Sequence, residues 1–491
     1  MAATCAVRHL RRTIPIPTYP GHLARLLHSV PAVVQSSSYV DKRPAAERLG
    51  EDVLDLDDGR SLFGSFSTSR LVRSAASLHA AAVGPVVDVG TWVMGSKVIM
   101  GPGLLRDAVL WGVRRTFYDQ FCAGEDMPEV VRSVRRVNAL GLRAMLDYAL
   151  EDVEDGASCD RNLEEFLTTI DATRTLPPSS VSFVVVKISA ICSLELLRRV
   201  SDLLRWHHRD PSFRLPWKMD ALPIFADSSP LYHTLQKPEP LTPEEELDLA
   251  AAHERLALLC RGCRDSNVPL AIDAENTLIQ PAIDYFTYSA ELTFNKGDQP
   301  VVYGTMQAYL KDAWDRLQQA SEAAEKAGIK LGVKLVRGAY MSSESTIAHS
   351  SGHESPIHNT IRETHACYDN CASYMLDKVA NRSSAVVLAT HNVESAKLAA
   401  AKARDLGMTA RKGWQGFEFA QLYGMADSLS FGLRNAGFTV NKYMPFGRVD
   451  MVIPYLLRRA EENRGLLSAS SLDRQLMRKE LWRRLKGSAI L

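Results

Sequence analysis

The spacing of apolar residues changes along the chain. Between Leu71 and Leu140 it is mainly helical, with breaks at Gly84-Pro85 and Gly101-Pro102-Gly103. From Gly141 onward, short β-branched runs alternate with helical stretches, which predicts parallel strands joined by helices. The eight predicted strands are Arg143 to Ala149, Ser182 to Ile191, Leu270 to Ala274, Val302 to Ala308, Lys330 to Val336, Ala385 to Thr390, Phe417 to Leu422, and Thr439 to Tyr443.

The number of strands favours a closed barrel. Eight strands in about 300 residues fit a (βα)8 TIM-type barrel, an α/β fold, better than an open sheet. We therefore predict a barrel domain at 141–465, preceded by a helical segment at 75–140. Residues 207–241 are rich in proline and aromatic residues and interrupt the alternation, which predicts a surface insertion.

The two ends of the chain differ from the barrel in composition. Residues 1–40 contain four arginines, several serines and no acid, as in a mitochondrial transit peptide, although a disordered basic arm is an alternative. Residues 41–74 are predicted to be a polar linker. Residues 466–491 predict a basic amphipathic helix, which would either bind a membrane surface or pack against the barrel.

Composition excludes some classes of function. A formal charge of +1 over 491 residues gives no reason to expect nucleic acid as a partner. No apolar run reaches the length of about 18 residues that a membrane-spanning helix needs. Two pairs of cysteines have two possible interpretations, a zinc site or, more commonly, buried thiols. The pairs are Cys260 with Cys263, and Cys367 with Cys371 beside His358 and His365.

Polar residues follow or end nearly every predicted strand. They are Lys187, Asp273, Gln307, Lys334, Arg337, Thr390, His391, Glu418, Gln421 and Tyr443. Any one of them alone is commonly a structural pair in the core. Together they are harder to explain in that way, because each unpaired polar group in the core would cost about 1–3 kcal/mol. We expect them to line a ligand site at the carboxyl ends of the strands.

Two further motifs indicate the chemistry of the ligands. Tyr455, Arg458, Arg459 and Glu462 share one side of the helix predicted from Val452 to Gly465, where paired guanidinium groups suit a small carboxylate. A solvated charged helix end is the alternative. Arg337-Gly338-Ala339 joins a cation to a backbone that can approach a phosphate closely. These residues predict a barrel that binds a phosphate-bearing cofactor and a small carboxylate, without saying which.

Eight sequence motifs carry a resemblance to a known family. They are V-V-V-K-I-S-A, A-I-D-A-E, T-M-Q-A-Y-L, K-L-V-R-G-A-Y, L-A-T-H-N, F-A-Q-L-Y-G-M, K-Y-M-P-F-G and Y-L-L-R-R-A-E-E-N. In this order they resemble the signature segments of the FAD-dependent proline dehydrogenase (proline oxidase) family, over about Gly141 to Gly465. The arrangement is most similar to the monofunctional mitochondrial type.

The resemblance implies a fold, a reaction and a location. The fold would be a distorted (βα)8 barrel that holds FAD non-covalently. L-Proline would be oxidised to Δ1-pyrroline-5-carboxylate, the first step of proline catabolism, by hydride transfer from proline C5 to flavin N5. Ubiquinone would reoxidise the flavin, and the protein would contact the matrix side of the inner mitochondrial membrane. The alternatives are hydroxyproline dehydrogenase, against which the bulk of Tyr443 argues, and a zinc-binding barrel hydrolase or interaction protein.

The resemblance also implies residue roles. Lys187, Arg458 and Arg459 would bind the substrate carboxylate, Glu462 would orient an arginine, and Tyr443 and Tyr455 would flank the ring. Lys187, Asp273 and Lys334 would form the catalytic group. Lys334 stands where the resemblance implies an arginine facing flavin N5 in bacterial relatives, and a lysine keeps the charge but loses the forked donor geometry. The implied FAD-binding residues are Ala274, Gln307, Lys334, Arg337, Gly338, Ala339, Thr390, His391, Glu418 and Gln421.

Overall fold

A computed structural model describes residues 53–96, 99–150, 153, 155–409, 415–465 and 467–488, without the side chains of 460–470 and 487–488. Its centre is a closed barrel of eight parallel strands in sequence order, which confirms the predicted fold. The strands are β1 (Arg143–Tyr148), β2 (Val181–Val186), β3 (Leu270–Ile272), β4 (Val302–Gln307), β5 (Leu331–Val336), β6 (Ser384–Ala389), β7 (Phe417–Leu422) and β8 (Val440–Phe446).

Helices precede, surround and follow the barrel. Before β1 lie α1 (Gly59–Phe63), α2 (Thr68–Ala82), α3 (Gly84–Gly95), α4 (Leu104–Val113), which continues through a π turn to Phe121, and α5 (Met127–Ala139). Between the strands lie α6 (Gly156–Thr173), α7 (Leu194–Arg209), α8 (Pro243–Asp265), α9 (Gln280–Phe294), α10 (Ala313–Lys326), α11 (Met341–Ser350), α12 (Ile361–Ala380), α13 (Val393–Asp405) and α14 (Asp427–Asn435). After β8 come α15 (Val449–Gly465) and α16 (Leu467–Ser488).

Local sequence signals explain where several helices begin. Thr242 and Glu245 form a capping box at the start of α8, and Thr360 and Glu363 form another at the start of α12. Each box satisfies two backbone N–H groups that have no partner within the helix. These helix starts therefore follow from residues close together in the chain.

The alternation of side chains along each strand positions the site. One set of side chains faces the barrel interior and forms an apolar cluster of Met145, Phe183, Val185, Ala271, Tyr303, Ala385, Val387 and Ala420. The other set packs against the surrounding helices in the larger core. Because side chains repeat with a period of two, Asp147, Lys187 and Asp273 face the same interior, two residues beyond members of that cluster. They occupy the carboxyl-terminal end of the barrel, where such folds build their sites.

The segment between α7 and α8 forms neither helix nor strand from 210 to 242. Hydrogen bonds to Tyr285 and Ser289 hold it against α9. The Met219 N–H donates to the Tyr285 hydroxyl at 2.8 Å, and the Ser289 hydroxyl donates to the Asp220 carbonyl at 2.7 Å. The predicted insertion thus covers the outer face of one barrel helix.

The polar-linker prediction for 41–74 is wrong for its described part, 53–74. These residues form α1 and the start of α2, and Leu62, Phe63 and Leu71 are fully buried. Phe63 and Phe66 make edge-to-face contacts with Phe431 of α14. Acidic residues surround Leu54 and Leu56 in the sequence, so the pattern of apolar residues that pack on the barrel was not recognised. The predicted transit peptide lies outside the described residues.

The carboxyl-terminal helix α16 packs against the body of the protein. Helix α14 has no side-chain cap of its own, and the Asp473 carboxylate of α16 instead accepts from the N–H groups of Asp427 and Ser428, both at 2.9 Å. Leu476 and Met477 are buried. Of the two predicted possibilities, the structure shows packing. Among the described residues, no helix combines the length and hydrophobicity needed to span a bilayer.

We predict that Met477→Ala lowers the free energy of unfolding by about 2–5 kcal/mol, because the deletion leaves a cavity under α16. The control is Trp482→Ala on the same helix. Its side chain is 63% exposed, so the change should stay within about 0.5 kcal/mol. Urea unfolding curves of both variants test this, and equal effects would contradict the packing of α16.

Candidate active site

One carboxylate links most of the polar group at the barrel mouth. Asp273 pairs through Oδ1 with the Lys334 ammonium, and its Oδ2 accepts a hydrogen bond from the Tyr443 hydroxyl at 2.8 Å. Lys187 Nζ lies 3.9 Å from the same Oδ2. The Lys334 ammonium also lies 5.4 Å from the centre of the Tyr443 ring. Four residues from β5, β8 and the ends of β2 and β3 therefore meet as the sequence analysis expected.

Asp147 joins this cluster and was missed by the sequence analysis. It lies near the end of β1, is 1% exposed, and places Oδ1 3.7 Å from Lys187 Nζ. The signal was present in the sequence. Since β1 alternates, an inward Met145 requires an inward Asp147 two residues later, but no polar residue was assigned to the first strand.

Electrostatics separate the two acids. Burial alone would raise the pKa of Asp273, but attraction from Lys334 and Lys187 outweighs it, so the pKa is lowered and the group is a carboxylate. Burial raises the pKa of Asp147, and the charge of Lys187 only partly offsets this. Burial and the two acids hold the pKa of Tyr443 well above its ordinary value, which keeps the phenol protonated and donating.

Arg337 forms a second centre, held by neutral partners. Its Nε donates to His365 Nδ1 at 3.0 Å, and its two terminal nitrogens donate to the hydroxyls of Thr390 at 2.8 Å and Ser395 at 2.7 Å. The guanidinium lies 4.2 Å from the centre of the Tyr368 ring. Of these residues only Arg337 and Thr390 were predicted, because His365, Tyr368 and Ser395 lie on helices rather than at strand ends.

His391 lies in positively charged surroundings. Its Nε2 accepts a hydrogen bond from the Leu422 N–H at 3.0 Å, which leaves the ring proton on Nδ1. Burial, followed by the charges of Lys442, Arg459 and Arg337, lowers the pKa of His391 to about 3. The imidazole is therefore neutral at physiological pH.

The helix after β8 contributes one of the predicted arginines to this region. Tyr455 is buried, and the Arg459 guanidinium lies 5.4 Å from the centre of its ring. The charge of Arg459 also acts on His391, which places it on the side of the barrel where β6 ends. Arg458 is half-buried. Its role stays a prediction, as does that of Glu462, whose side chain lies outside the described residues.

Some predicted cofactor residues already have partners within the protein. The side-chain amide of Gln307 donates to the Glu275 carbonyl at 2.9 Å, and that of Gln421 donates to the Thr390 carbonyl at 3.3 Å and accepts from Ser430 at 2.9 Å. Both residues are buried. Their amides brace the ends of neighbouring strands.

Gly338 has a structural reason to be glycine. Its φ is +141°, and a Cβ there would lie 2.1 Å from a carbon of the Tyr309 ring. The close approach thus serves packing against Tyr309, whereas the sequence analysis attributed it to a phosphate. The neighbouring Ala339 is exposed and Ala274, next to Asp273, is half-buried, and their contacts with a cofactor stay predictions.

Glu418 does not join the site. It is the second residue of β7, near the amino-terminal end, and faces Arg143 Nη1 at 3.2 Å and Asn441 Nδ2 at 2.6 Å. This contradicts its predicted place at a carboxyl end. An acidic side chain that faces the barrel interior can lie at either end of a strand. Only the position of the strand within the barrel shows at which end it lies.

The described cysteines and histidines do not assemble into a metal site. Among the described residues, no three His, Cys, Asp or Glu side chains come together in a way that could hold an ion. Cys260 and Cys263 are buried in α8, and Cys367 and Cys371 lie in α12. The zinc-binding alternative therefore gains no support from the described part of the chain.

Comparison with known proteins supplies the family. The profile of the family described as proline dehydrogenase matches residues 130–472. The chain belongs to the proline dehydrogenase family. This confirms the resemblance carried by the strand motifs, and the matched range contains every strand of the barrel.

Relatives of this proline dehydrogenase family member include plant and animal proteins. It is 55% identical to mitochondrial proline dehydrogenase 1 of Arabidopsis thaliana, over 90% of this chain and 89% of that protein. It is 34% identical to hydroxyproline dehydrogenase of Homo sapiens, over 89% of this chain and 94% of that protein. Proline utilization A from Bdellovibrio bacteriovorus shares the fold with a TM-score of 0.60 at 19% identity, covering 88% of this chain and 43% of that one.

We predict that His391 contributes to the pH dependence of stability. Its folded pKa of about 3 lies below the unfolded value of about 6.5. The contribution is therefore present at pH 7 and is lost as the pH falls below about 6.5, amounting to about 2 kcal/mol at pH 5. In His391→Gln the extra loss between pH 7 and pH 5 should disappear, as measured by urea unfolding. The same loss in both proteins would contradict a neutral imidazole at this position.

Proposed function

We propose that this chain oxidises L-proline to Δ1-pyrroline-5-carboxylate with bound FAD, as the first step of proline catabolism. The observation that carries the proposal is the cluster of Lys187, Asp273, Lys334 and Tyr443 at the barrel mouth. It lies within the range that matches the proline dehydrogenase family. Two ammonium groups around a shared carboxylate form a polar site for a substrate that is both an acid and an amine.

The chemistry of the Arg337 centre fits the cofactor. Arg337 donates these hydrogen bonds to neutral side chains, and burial lowers the pKa of its guanidinium group. His391 nearby is neutral because burial, followed by the charges of several cations, lowers its pKa. A diphosphate would supply negative charge to this region. We infer that Arg337, Thr390 and His391 hold FAD, with Lys334, Ala274, Gly338, Ala339 and Gln307 beside it. When bound, FAD supplies the two-electron acceptor.

The residues of the chain would orient the substrate and set its protonation. Lys187, with Arg458 and Arg459, would bind the proline carboxylate and thereby fix the position of C5. The amine must lose its proton before oxidation, and nearby cations favour the neutral amine. Asp273 holds Lys334 and the Tyr443 ring in place. Since Lys334 pairs with Asp273, it would act as a fixed point charge. The reaction needs no nucleophilic residue.

The decisive experiment combines a spectrum with kinetics. The purified full chain should show flavin absorbance in the visible range that L-proline bleaches. Arg458→Met should retain the flavin and raise the KM for proline about 30-fold or more, since loss of a buried charge-assisted contact costs about 2–5 kcal/mol. The control is Arg448→Met, whose side chain is 72% exposed beside Asp450, and its KM should stay unchanged.

Three outcomes would contradict parts of this proposal. A colourless protein would refute FAD, and a near-normal KM in Arg458→Met would refute the carboxylate assignment. The similarity to human hydroxyproline dehydrogenase supports 4-hydroxyproline as the second candidate substrate. The half-buried Tyr443 ring, fixed through its hydroxyl to Asp273, leaves little room for an added hydroxyl. A kcat/KM higher for 4-hydroxyproline than for proline would reverse the choice.

We further propose that ubiquinone accepts the electrons and that the protein contacts the matrix face of the inner mitochondrial membrane. The supporting feature is a set of exposed apolar side chains on α3 and α4, called here the α3–α4 surface: Val89, Trp92, Leu104, Leu105 and Trp111, each at least 60% exposed. Helix α15, which carries Arg458 and Arg459, packs against both helices. Exposed apolar surface of this extent suits a lipid interface and an apolar electron acceptor.

The membrane proposal predicts a selective loss. The double variant Trp92→Ser, Leu104→Ser should bind anionic vesicles more weakly while retaining activity with a soluble dye acceptor, because the substrate site is untouched. Trp482→Ser on α16 is the matched control, being equally exposed at 63% but outside the α3–α4 surface. Cosedimentation with vesicles measures binding. Unchanged binding in the double variant would contradict the proposal, and loss only in Trp482→Ser would favour the tail.

A further inference from the structure

Helix α11 is an additional element between β5 and α12, and it has little support of its own. It has 10 residues, lacks a side-chain cap at its start, and buries only Glu344 and Ala348. A helix of this length is marginally stable in water unless packing holds it. The conformation of α11 therefore depends on contacts with the rest of the protein, and Glu344 is the larger of its two buried side chains.

Glu344 binds the segment that follows β3. Its carboxylate is fully buried and accepts a hydrogen bond from the Thr277 N–H at 2.6 Å and another from the Thr277 hydroxyl. Thr277 comes shortly after Asp273 and Ala274 in the chain. Hydrogen bonds that a carboxylate accepts are stronger than those between neutral groups. This Glu344–Thr277 contact therefore joins α11 to the loop that begins with Asp273.

Two other elements hold Thr277 in place. The buried Arg205 of α7 donates from Nη2 to the carbonyls of Thr277 at 2.5 Å and Leu278 at 2.8 Å. His233, in the segment between α7 and α8, places Nε2 2.9 Å from the Thr277 hydroxyl. Because that hydroxyl gives its only proton to Glu344, the His233 Nε2 is the donor. Glu344 thus binds a partner that is itself fixed.

The segment between β5 and α11 carries predicted cofactor residues. Strand β5 ends at Val336, and Arg337, Gly338 and Ala339 lead through Tyr340 into α11. The start of this segment is held by the neighbouring strand end, since the Arg337 carbonyl accepts from a backbone N–H of that strand's loop at 2.7 Å. Its far end continues into α11, whose position depends on the Glu344–Thr277 contact.

We propose that Glu344 is a positioning residue that sets how long bound FAD is retained, by tying the segment after β5 to the segment after β3. This inference rests on the proposed function, because it takes Ala274 and Arg337 to hold FAD. When the Glu344–Thr277 contact opens, α11 loses its main anchor. The segment before it then becomes free to move relative to Ala274, and the hold on FAD weakens. Such a local opening costs less free energy than global unfolding.

Release of flavin from the full chain tests this inference. Glu344→Gln and Thr277→Val each remove part of the contact. Both should release flavin about tenfold faster than the parent protein, because hydrogen bonds to charged groups are stabilising to at least this extent. Thr277→Ser keeps the hydroxyl and should release flavin at the parent rate. The rate is measured by flavin fluorescence after dilution of the flavin-loaded protein.

A double variant shows whether the two residues act through one contact. If they do, combining Glu344→Gln with Thr277→Val should speed release by little more than either change alone, because the second change removes an interaction that is already lost. A product of the two separate effects would contradict a shared contact.

Hydrogen–deuterium exchange separates a local effect from a general loss of stability. In Glu344→Gln without cofactor, peptides covering 274–280 and 337–350 should exchange faster than in the parent. Strands β7 and β8, which lie across the barrel from β3 and β4, should exchange as in the parent. The matched control is Glu354→Gln, whose side chain is 94% exposed, and it should leave both release and exchange unchanged.

The possible failures are distinguishable. A parent protein without flavin would overturn the proposed function and this inference with it. A parent that holds flavin, with release at the parent rate in both Glu344→Gln and Thr277→Val, would overturn the inference alone. Equally fast release in Glu354→Gln would do the same. Faster exchange throughout the barrel in Glu344→Gln would also overturn it, since Glu344 would then stabilise the whole fold.

Discussion

A carboxylate buried inside a closed barrel needs positive charge around it, and the site depends on this requirement. Asp273 is almost fully buried, and it exists as an anion because Lys334 and Lys187 lie beside it and the Tyr443 hydroxyl donates to it. Removing Lys334, which pairs directly with Asp273, would leave much of this buried charge without compensation, which costs several kcal/mol. The four side chains therefore hold one another in a single arrangement, ready for a substrate that carries both charges.

The barrel makes this arrangement possible through its alternating side chains. A layer of apolar residues fills the barrel interior on the amino-terminal side of the site. The charged side chains therefore pack on this layer, and the site opens only toward the carboxyl ends of the strands. The same alternation places Glu418 with Arg143 at the opposite end, where the pair satisfies its own charge. Polar residues inside the barrel thus have two roles. Those at the carboxyl ends of the strands form the site, and those at the amino ends pair with one another.

Segments outside the barrel complete it from both termini. Helices α1 and α2 bury aromatic residues against α14, while α16 caps α14 through Asp473 and donates from Arg484 to the carbonyls of Phe63 and Phe66. Helices α1, α2 and α16 therefore stabilise one another across the same barrel helix. This packing leaves apolar side chains of α3 and α4 at the surface, next to the helix that carries the arginine pair.

Periodicity in the sequence identifies the strands and places their inward side chains, and it was therefore enough to predict the barrel and most of its mouth. Lys187, Asp273, Lys334 and Tyr443 could be found in this way, and by the same rule so could Asp147. Features that depend on contacts between distant segments could be seen only in the folded protein. Arg337 is held by His365, Tyr368 and Ser395, which lie on helices whose rotation about their axes the sequence does not reveal. Gly338 must be a glycine because the Tyr309 ring lies where a Cβ would be. Residues 53–74 pack on the barrel although acids surround their apolar residues, because the burial of a segment depends on the surface against which it packs.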